Sequence, residues 1–68
     1  MIKVNELKAE IIKNNLTQAD VAKMIGVTPK TFYTKMKRGV FGSDEIQIMI
    51  KNLNIKNPMD IFFTNWVT

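Results

Sequence analysis

Apolar residues recur at spacings of three and four along most of this chain, which is the period of helices that bury one face. In the first segment, Val4, Leu7 and Ile11 fall on a single helical side. Asn5 is a candidate N-cap for this helix because its side chain can accept hydrogen bonds from free backbone amides. We therefore predict a first amphipathic helix that begins at Asn5 and runs to about Asn14.

A second short helix is indicated by capping residues at both of its ends. Thr17 is expected to cap its start, and Asp20, three residues later, can return a capping-box hydrogen bond. Gly26 is expected to end it, since glycine adopts the left-handed conformation at little cost. The apolar positions predicted to face the core are Val21, Ala22 and Ile25.

The start of a third helix is marked by Thr28 followed by Pro29, a capping hydroxyl before a proline at the first helical position. This helix is predicted to run to about Lys37, with Phe32 and Met36 facing inward. Its opposite face is polar and basic.

Two further helices complete the pattern. Between Gly39 and Gly42 we expect a loop from which either Val40 or Phe41 turns back into the core. Ser43 is the expected cap of the fourth helix, and Asn57 with Pro58 is expected to open a short fifth one. The apolar positions of these two helices are Ile46, Met49, Ile50, Leu53, Ile61 and Phe62.

A chain of 68 residues predicts a single domain, residues 1–68, and the pattern makes it all-α with five helices. It contains no cysteine and no histidine, so the usual thiolate and imidazole metal ligands and the commonest general base are missing. We expect no enzymatic activity, no cofactor, no metal and no small-molecule substrate. No apolar run approaches the roughly 20 residues of a membrane span, and no secretory signal is recognisable, which favours a reducing cytoplasm.

The positive charge is concentrated in one segment. Residues 17–39 carry four lysines and one arginine against one aspartate, and this excess equals the net charge of +4 of the whole chain. The basic residues lie mostly on the outer face of the third helix. Such a face attracts a phosphate backbone.

The segment Gln18–Arg38 resembles the helix–turn–helix of the phage repressor and Cro family, of the xenobiotic-response-element type. The resemblance rests on Leu16, Thr17, Gln18, Ala22, Gly26, Val27 and Phe32. It extends over Ser43–Leu53 and Asn57–Phe62, which match the fourth and fifth helices of that family. It implies a compact five-helix, lambda-repressor-like domain, similar to small Cro repressors of phages or prophages.

In that family the third helix enters the major groove with its N-terminal residues at base edges. The resemblance and the outward-facing positions together predict Lys30, Tyr33 and Thr34 as base-reading residues. The residues expected to contact phosphate are Gln18, Thr28, Lys35, Lys37 and Arg38. An alternative for Tyr33 is half-buried packing beside Phe32.

Two positions depart from the family pattern. Lys35 stands where the family usually has an apolar residue, so the C-terminal half of the third helix is expected to be longer or rotated. Pro29 stands where many relatives have a polar base-reading residue, and it has no side-chain hydrogen-bonding group. Contacts with bases are therefore expected to shift toward Lys30, Tyr33 and Thr34.

The leading hypothesis is a sequence-specific, double-stranded DNA-binding transcriptional regulator, a Cro-like repressor that occupies its operator as a homodimer. Phe63 and Trp66 are the expected dimer interface, because a short terminal helix cannot turn all of its large apolar groups toward one core. An alternative is that Trp66 folds back over the first helix. The rival function is a helical protein-interaction module of the antirepressor or antitoxin type.

Overall fold

Five helices follow one another along residues 2–62, the part of the chain that the computed structural model describes. They are α1 (Val4–Lys13), α2 (Gln18–Ile25), α3 (Pro29–Arg38), α4 (Ser43–Asn52) and α5 (Pro58–Phe62). No strand occurs within this range. The predicted all-α class and the order of five helices are confirmed.

The start of α1 differs from the prediction. The helix begins at Val4, its N-cap is Lys3, and no side chain caps it, so Asn5 is not the cap. The backbone before α1 is held in another way: Lys3 N donates to Ile61 O over 2.8 Å, and Ile2 N donates to Gly39 O over 3.2 Å. Because these bonds fix the entering chain, the helix starts without a capping side chain.

The predicted ends of α2 are confirmed. Asp20 N donates to Thr17 Oγ1 over 3.1 Å, and Thr17 N donates to Asp20 Oδ2 over 2.8 Å, which forms the capping box. Gly26 follows the helix at φ +81°, in the left-handed region. Val27 N then donates to Ala22 O over 2.9 Å, which closes the turn toward the next helix.

The start of α3 is also as predicted, with Thr28 Oγ1 accepting from Thr31 N over 3.2 Å before Pro29 at the first helical position. The helix continues to Arg38, one residue beyond the predicted end. Gly39 ends it at φ +69°.

The cap of α4 is Gly42 and not Ser43, which is already helical. Glu45 provides the capping interaction, since its Oε1 accepts from Gly42 N over 2.8 Å. The carboxylate therefore accepts from the amide of the cap residue itself, and no side chain of the cap accepts from the first turn. The short α5 begins at Pro58, as predicted.

The core lies around α2, which packs against α1, α3 and α4, while α1 also packs against α5. The largest side chains that are almost completely buried are Leu7, Ile11, Val21, Phe32, Met49 and Leu53. Phe41 supplies the residue that turns back from the loop, with its ring centroid 5.5 Å from that of Phe32. Val40 stays 55% exposed.

No helix within residues 2–62 is long and apolar enough to cross a membrane.

Candidate nucleic-acid interface

Helix α3 has one buried face and one exposed, basic face. Phe32 is fully buried and Met36 nearly so, and they anchor the helix on the core. On the opposite side Lys30, Tyr33 and Thr34 are all exposed, as the sequence predicts. The helix contains three lysines and one arginine and no acidic residue. Its outer face therefore carries positive charge that no acidic residue of the helix itself offsets.

The position of α3 is fixed by α2 and by the turn between them. Ala22 on α2 is fully buried, so its small side chain suits the contact between α2 and the helices packed on it. Gly26 supplies the left-handed turn that the chain needs to leave α2. Thr28 and Pro29 then start α3 immediately, which leaves little freedom in its direction.

A groove runs along one side of α3, and we call it the Tyr33 groove. It is lined by Val4, Lys8, Gln18, Tyr33, Met36 and Lys37 and has a volume of about 400 Å³. The groove brings together side chains from α1, α2 and α3, although Gln18 and Lys37 are far apart in the sequence. Tyr33 is 51% exposed, which means that half of its side chain is available to a partner.

A second groove, the Val40 groove, lies beside other residues of α3. It is lined by Lys30, Thr31, Thr34, Lys35, Arg38 and Val40 and has a volume of about 370 Å³. The predicted base-reading residues are thus divided between the two grooves, with Tyr33 in one and Lys30 and Thr34 in the other. The grooves also contain cations expected to contact phosphate, Lys37 in the first and Lys35 and Arg38 in the second.

The hydroxyl of Thr34 has a partner within α3. Thr34 Oγ1 donates to Lys30 O over 3.1 Å. A threonine hydroxyl has a single hydrogen, and Thr34 donates it to Lys30 O. Thr34 can therefore contact a base through the lone pairs of its oxygen and through its methyl group. Those groups suit an amino group of adenine or cytosine, or the methyl group of thymine.

The hydroxyl of Thr28 is also engaged. It accepts from Thr31 N and donates to Thr31 Oγ1 over 3.0 Å. The two hydroxyl oxygens share one hydrogen bond, so the pair has one hydroxyl hydrogen left to donate. Both residues are exposed, and the sequence predicts Thr28 as the phosphate contact.

Lys35 differs from the other basic residues of α3. Its Nζ lies 3.0 Å from Glu45 Oε1, and the side chains of Lys35 and Glu45 are only 30% and 13% exposed. Lys35, which stands where the resemblance expects an apolar side chain, is therefore half-buried. Its charge is neutralised by Glu45 of α4. Among the predicted phosphate contacts, Lys35 is the one whose charge has a partner within residues 2–62.

Sequence reasoning missed Lys8, Thr31 and Val40, which line the two grooves beside the predicted residues. A signal for Lys8 exists, since it lies four residues after Val4 and shares its helical side. Nothing local indicates that this side of α1 approaches α3, because that proximity depends on tertiary packing. Val40 was one of two candidates to enter the core, and its exposure follows from the burial of Phe41.

The expected dimer-interface residues Phe63 and Trp66 lie outside the described residues. Just before them, Met59 on α5 is 50% exposed. A further groove of about 320 Å³ separates α1 from the segment leading into α5 and has lysines and carboxylates of both elements on its walls. Within residues 2–62 no cluster of three or more acidic, histidine or cysteine side chains is arranged to hold a metal ion.

Comparison of the chain with protein-family models, with curated proteins and with solved structures finds no match.

Proposed function

We propose that the protein is a sequence-specific, double-stranded DNA-binding transcriptional regulator that acts as a Cro-like repressor. The observation that carries this proposal is the exposed face of α3, which is basic, free of acidic residues and flanked by two grooves. An α-helix of this kind fits the width of the major groove of B-form DNA. The likeness to the phage repressor and Cro family supports the same assignment.

In this proposal the bases are read by Lys30, Tyr33 and Thr34. A lysine ammonium can donate to the O6 and N7 acceptors of guanine, and a tyrosine hydroxyl can donate or accept. Thr34 reads through its methyl group and lone pairs because its hydrogen is donated to Lys30 O. Pro29 is exposed at the start of the helix but has no hydrogen-bonding side chain to offer.

The two grooves are suited to the two phosphate backbones that border the major groove. Lys8, Gln18 and Lys37 meet in the Tyr33 groove and would bind one backbone. Arg38 and Thr31 lie in the Val40 groove and would bind the other. Contacts of this type determine affinity and register, whereas the base contacts determine sequence preference.

We further propose that two copies bind a pseudo-palindromic operator and repress by occupying it. Two-fold symmetry would place the half-sites about 34–36 Å apart, one turn of DNA. Met59, half-exposed on α5, belongs to the end of the chain where the interface is proposed. Regulation would then follow from protein concentration and competition for the site.

Selection of bound duplexes from a random pool tests this function. We expect enrichment of a two-fold symmetric motif by the wild-type protein. Lys30→Ala and Thr34→Ala should alter the preferred bases, while Lys51→Ala, which removes an exposed lysine of α4, should leave the motif unchanged. Failure to enrich any motif, or an unaltered motif with both α3 variants, would contradict the assignment.

A second candidate function is a helical protein-interaction module of the antirepressor or antitoxin type. The observation favouring it is that Ile12 on α1 and Met59 on α5 are 72% and 50% exposed. Exposed apolar side chains often mark protein interfaces when they form a contiguous patch. Size-exclusion chromatography with and without duplex DNA distinguishes the two, because this candidate predicts no DNA complex at low micromolar protein.

A further inference from the structure

We propose that Glu45 is a positioning residue that keeps Lys35 away from the DNA backbone and fixes the C-terminal part of α3. The inference rests on the proposed DNA-binding function. Glu45 lies on α4, outside the exposed face that carries the expected contacts. Its role is therefore indirect and acts through Lys35 and Gly42.

The geometry places two donors on a single carboxylate oxygen. Glu45 Oε1 accepts from Lys35 Nζ over 3.0 Å and from Gly42 N over 2.8 Å. The first bond joins α3 to α4, and the second holds the loop between these helices. One side chain therefore links the end of the proposed reading helix to the start of the next helix.

Breaking the ion pair between Glu45 and Lys35 would be costly in free energy because Glu45 is largely buried. Glu45 is only 13% exposed, and a carboxylate that is mostly removed from water needs its hydrogen-bonding partners. If Lys35 moved to a phosphate, Glu45 would lose its charged partner and lie close to a negatively charged backbone. Repulsion from Glu45 would then oppose the new contact. Lys35 is thus retained by the protein.

The functional consequence is a lower number of phosphate contacts than the basic sequence of α3 predicts. Each neutralised phosphate releases counterions, so the number of contacts is measurable as the salt dependence of binding. Releasing Lys35 should add one contact. The logarithm of the binding constant would then fall more steeply with the logarithm of salt concentration, by about 0.9 in slope.

The test measures fluorescence anisotropy on a labelled duplex of mixed sequence over a series of KCl concentrations. Glu45→Gln keeps an oxygen that can accept from Gly42 N but removes the charge that holds Lys35. We expect its slope to be steeper than that of the wild-type protein by about 0.9. The double variant Glu45→Gln/Lys35→Gln should lose this increase.

Asp44→Asn is the matched control, since it removes the same charge one residue away from Glu45 and should leave the slope unchanged. Two results with the Glu45 variants would overturn the inference: a wild-type slope for Glu45→Gln, or an increase that persists in the double variant. Lys35→Gln alone tests the same claim without touching Glu45, because a slope lowered by about 0.9 would mean that Lys35 already contacts phosphate. A wild-type protein that binds no duplex would instead refute the proposed function, and this inference with it.

Discussion

Asn14 and Leu53 are joined by a hydrogen bond that connects the ends of two helices. Asn14 Nδ2 donates to Leu53 O over 3.0 Å and also to Glu10 O over 2.8 Å. Asn14 is the residue that follows α1. Leu53 follows α4 and is almost completely buried. The side chain of Asn14 thus links sequence-distant parts of the fold.

Replacing Asn14 by alanine should destabilise the protein by about 1–2 kcal/mol, because the carbonyl group of Leu53 loses a donor in a partly buried position. Asn52→Ala is the matched control. Within the described part of the chain, Asn52 Nδ2 donates only to Ile48 O, four residues back in its own helix. Urea denaturation followed by circular dichroism measures both variants, and an equal loss in the two would contradict a special role for the Asn14–Leu53 bond.

Gly26→Ala should destabilise the fold by about 1 kcal/mol through backbone conformation alone. Gly26 has φ +81°, and a Cβ placed there meets nothing within 4 Å. Gly42→Ala should cost less, since φ at Gly42 is −69° and the nearest contact is the flexible side chain of Asp44. Thermal unfolding of the two variants measures the contrast. A greater loss at Gly42 would show that the left-handed turn is not the decisive constraint.

The capping box should make stability depend on pH through Asp20. Hydrogen bonds from the backbone amide and the side chain of Thr17, and the nearby charge of Lys23, lower the pKa of Asp20 below its usual value. The stabilisation is present above the unfolded-state pKa, about 3.9, and is lost as the pH falls through the lower folded-state value. Asp20→Asn should therefore lose less stability than the wild-type protein on acidification below about pH 4. Parallel denaturation midpoints for the two proteins across this pH interval would refute the linkage.

Lys8→Gln should weaken DNA binding in a sequence-independent manner. If Lys8 contacts one phosphate from the Tyr33 groove, its loss should lower the salt slope by about 0.9 without altering base preference. Lys51→Gln on α4 removes the same charge and serves as the control. Anisotropy titrations over a KCl series provide the slopes. Equal slopes for the two variants would mean that Lys8 lies outside the interface.

Local signals predicted most of the fold because its helices carry their own start and stop residues. Thr17, Asp20 and Gly26 act within a few residues of one another, so their roles can be read from the sequence. The start of α1 was mispredicted since it depends on hydrogen bonds from Ile2 and Lys3 to distant residues. Ser43 was mispredicted as a cap because α4 begins one residue earlier than expected, with Gly42 as its cap and Glu45 accepting from the amide of Gly42.

The candidate site was predictable along α3 and less so around it. The exposure of Lys30, Tyr33 and Thr34 follows from the helical spacing opposite Phe32 and Met36. The pairing of Lys35 with Glu45 and the position of Lys8 depend on how α3 meets α4 and α1. Such tertiary contacts have no local signature in a single sequence.

The two backbone bonds before α1 have a consequence for motion. They attach the first described residues to Gly39, at the end of α3, and to Ile61, on α5. If Ile2 and Lys3 lose these hydrogen bonds, the proposed reading helix α3 and the proposed dimer-forming end are both destabilised at the same time. Amide hydrogen exchange at Ile2 and Lys3 should therefore report one shared opening free energy. Through this short segment, the proposed DNA-contacting helix and the proposed dimer-forming end would be thermodynamically coupled.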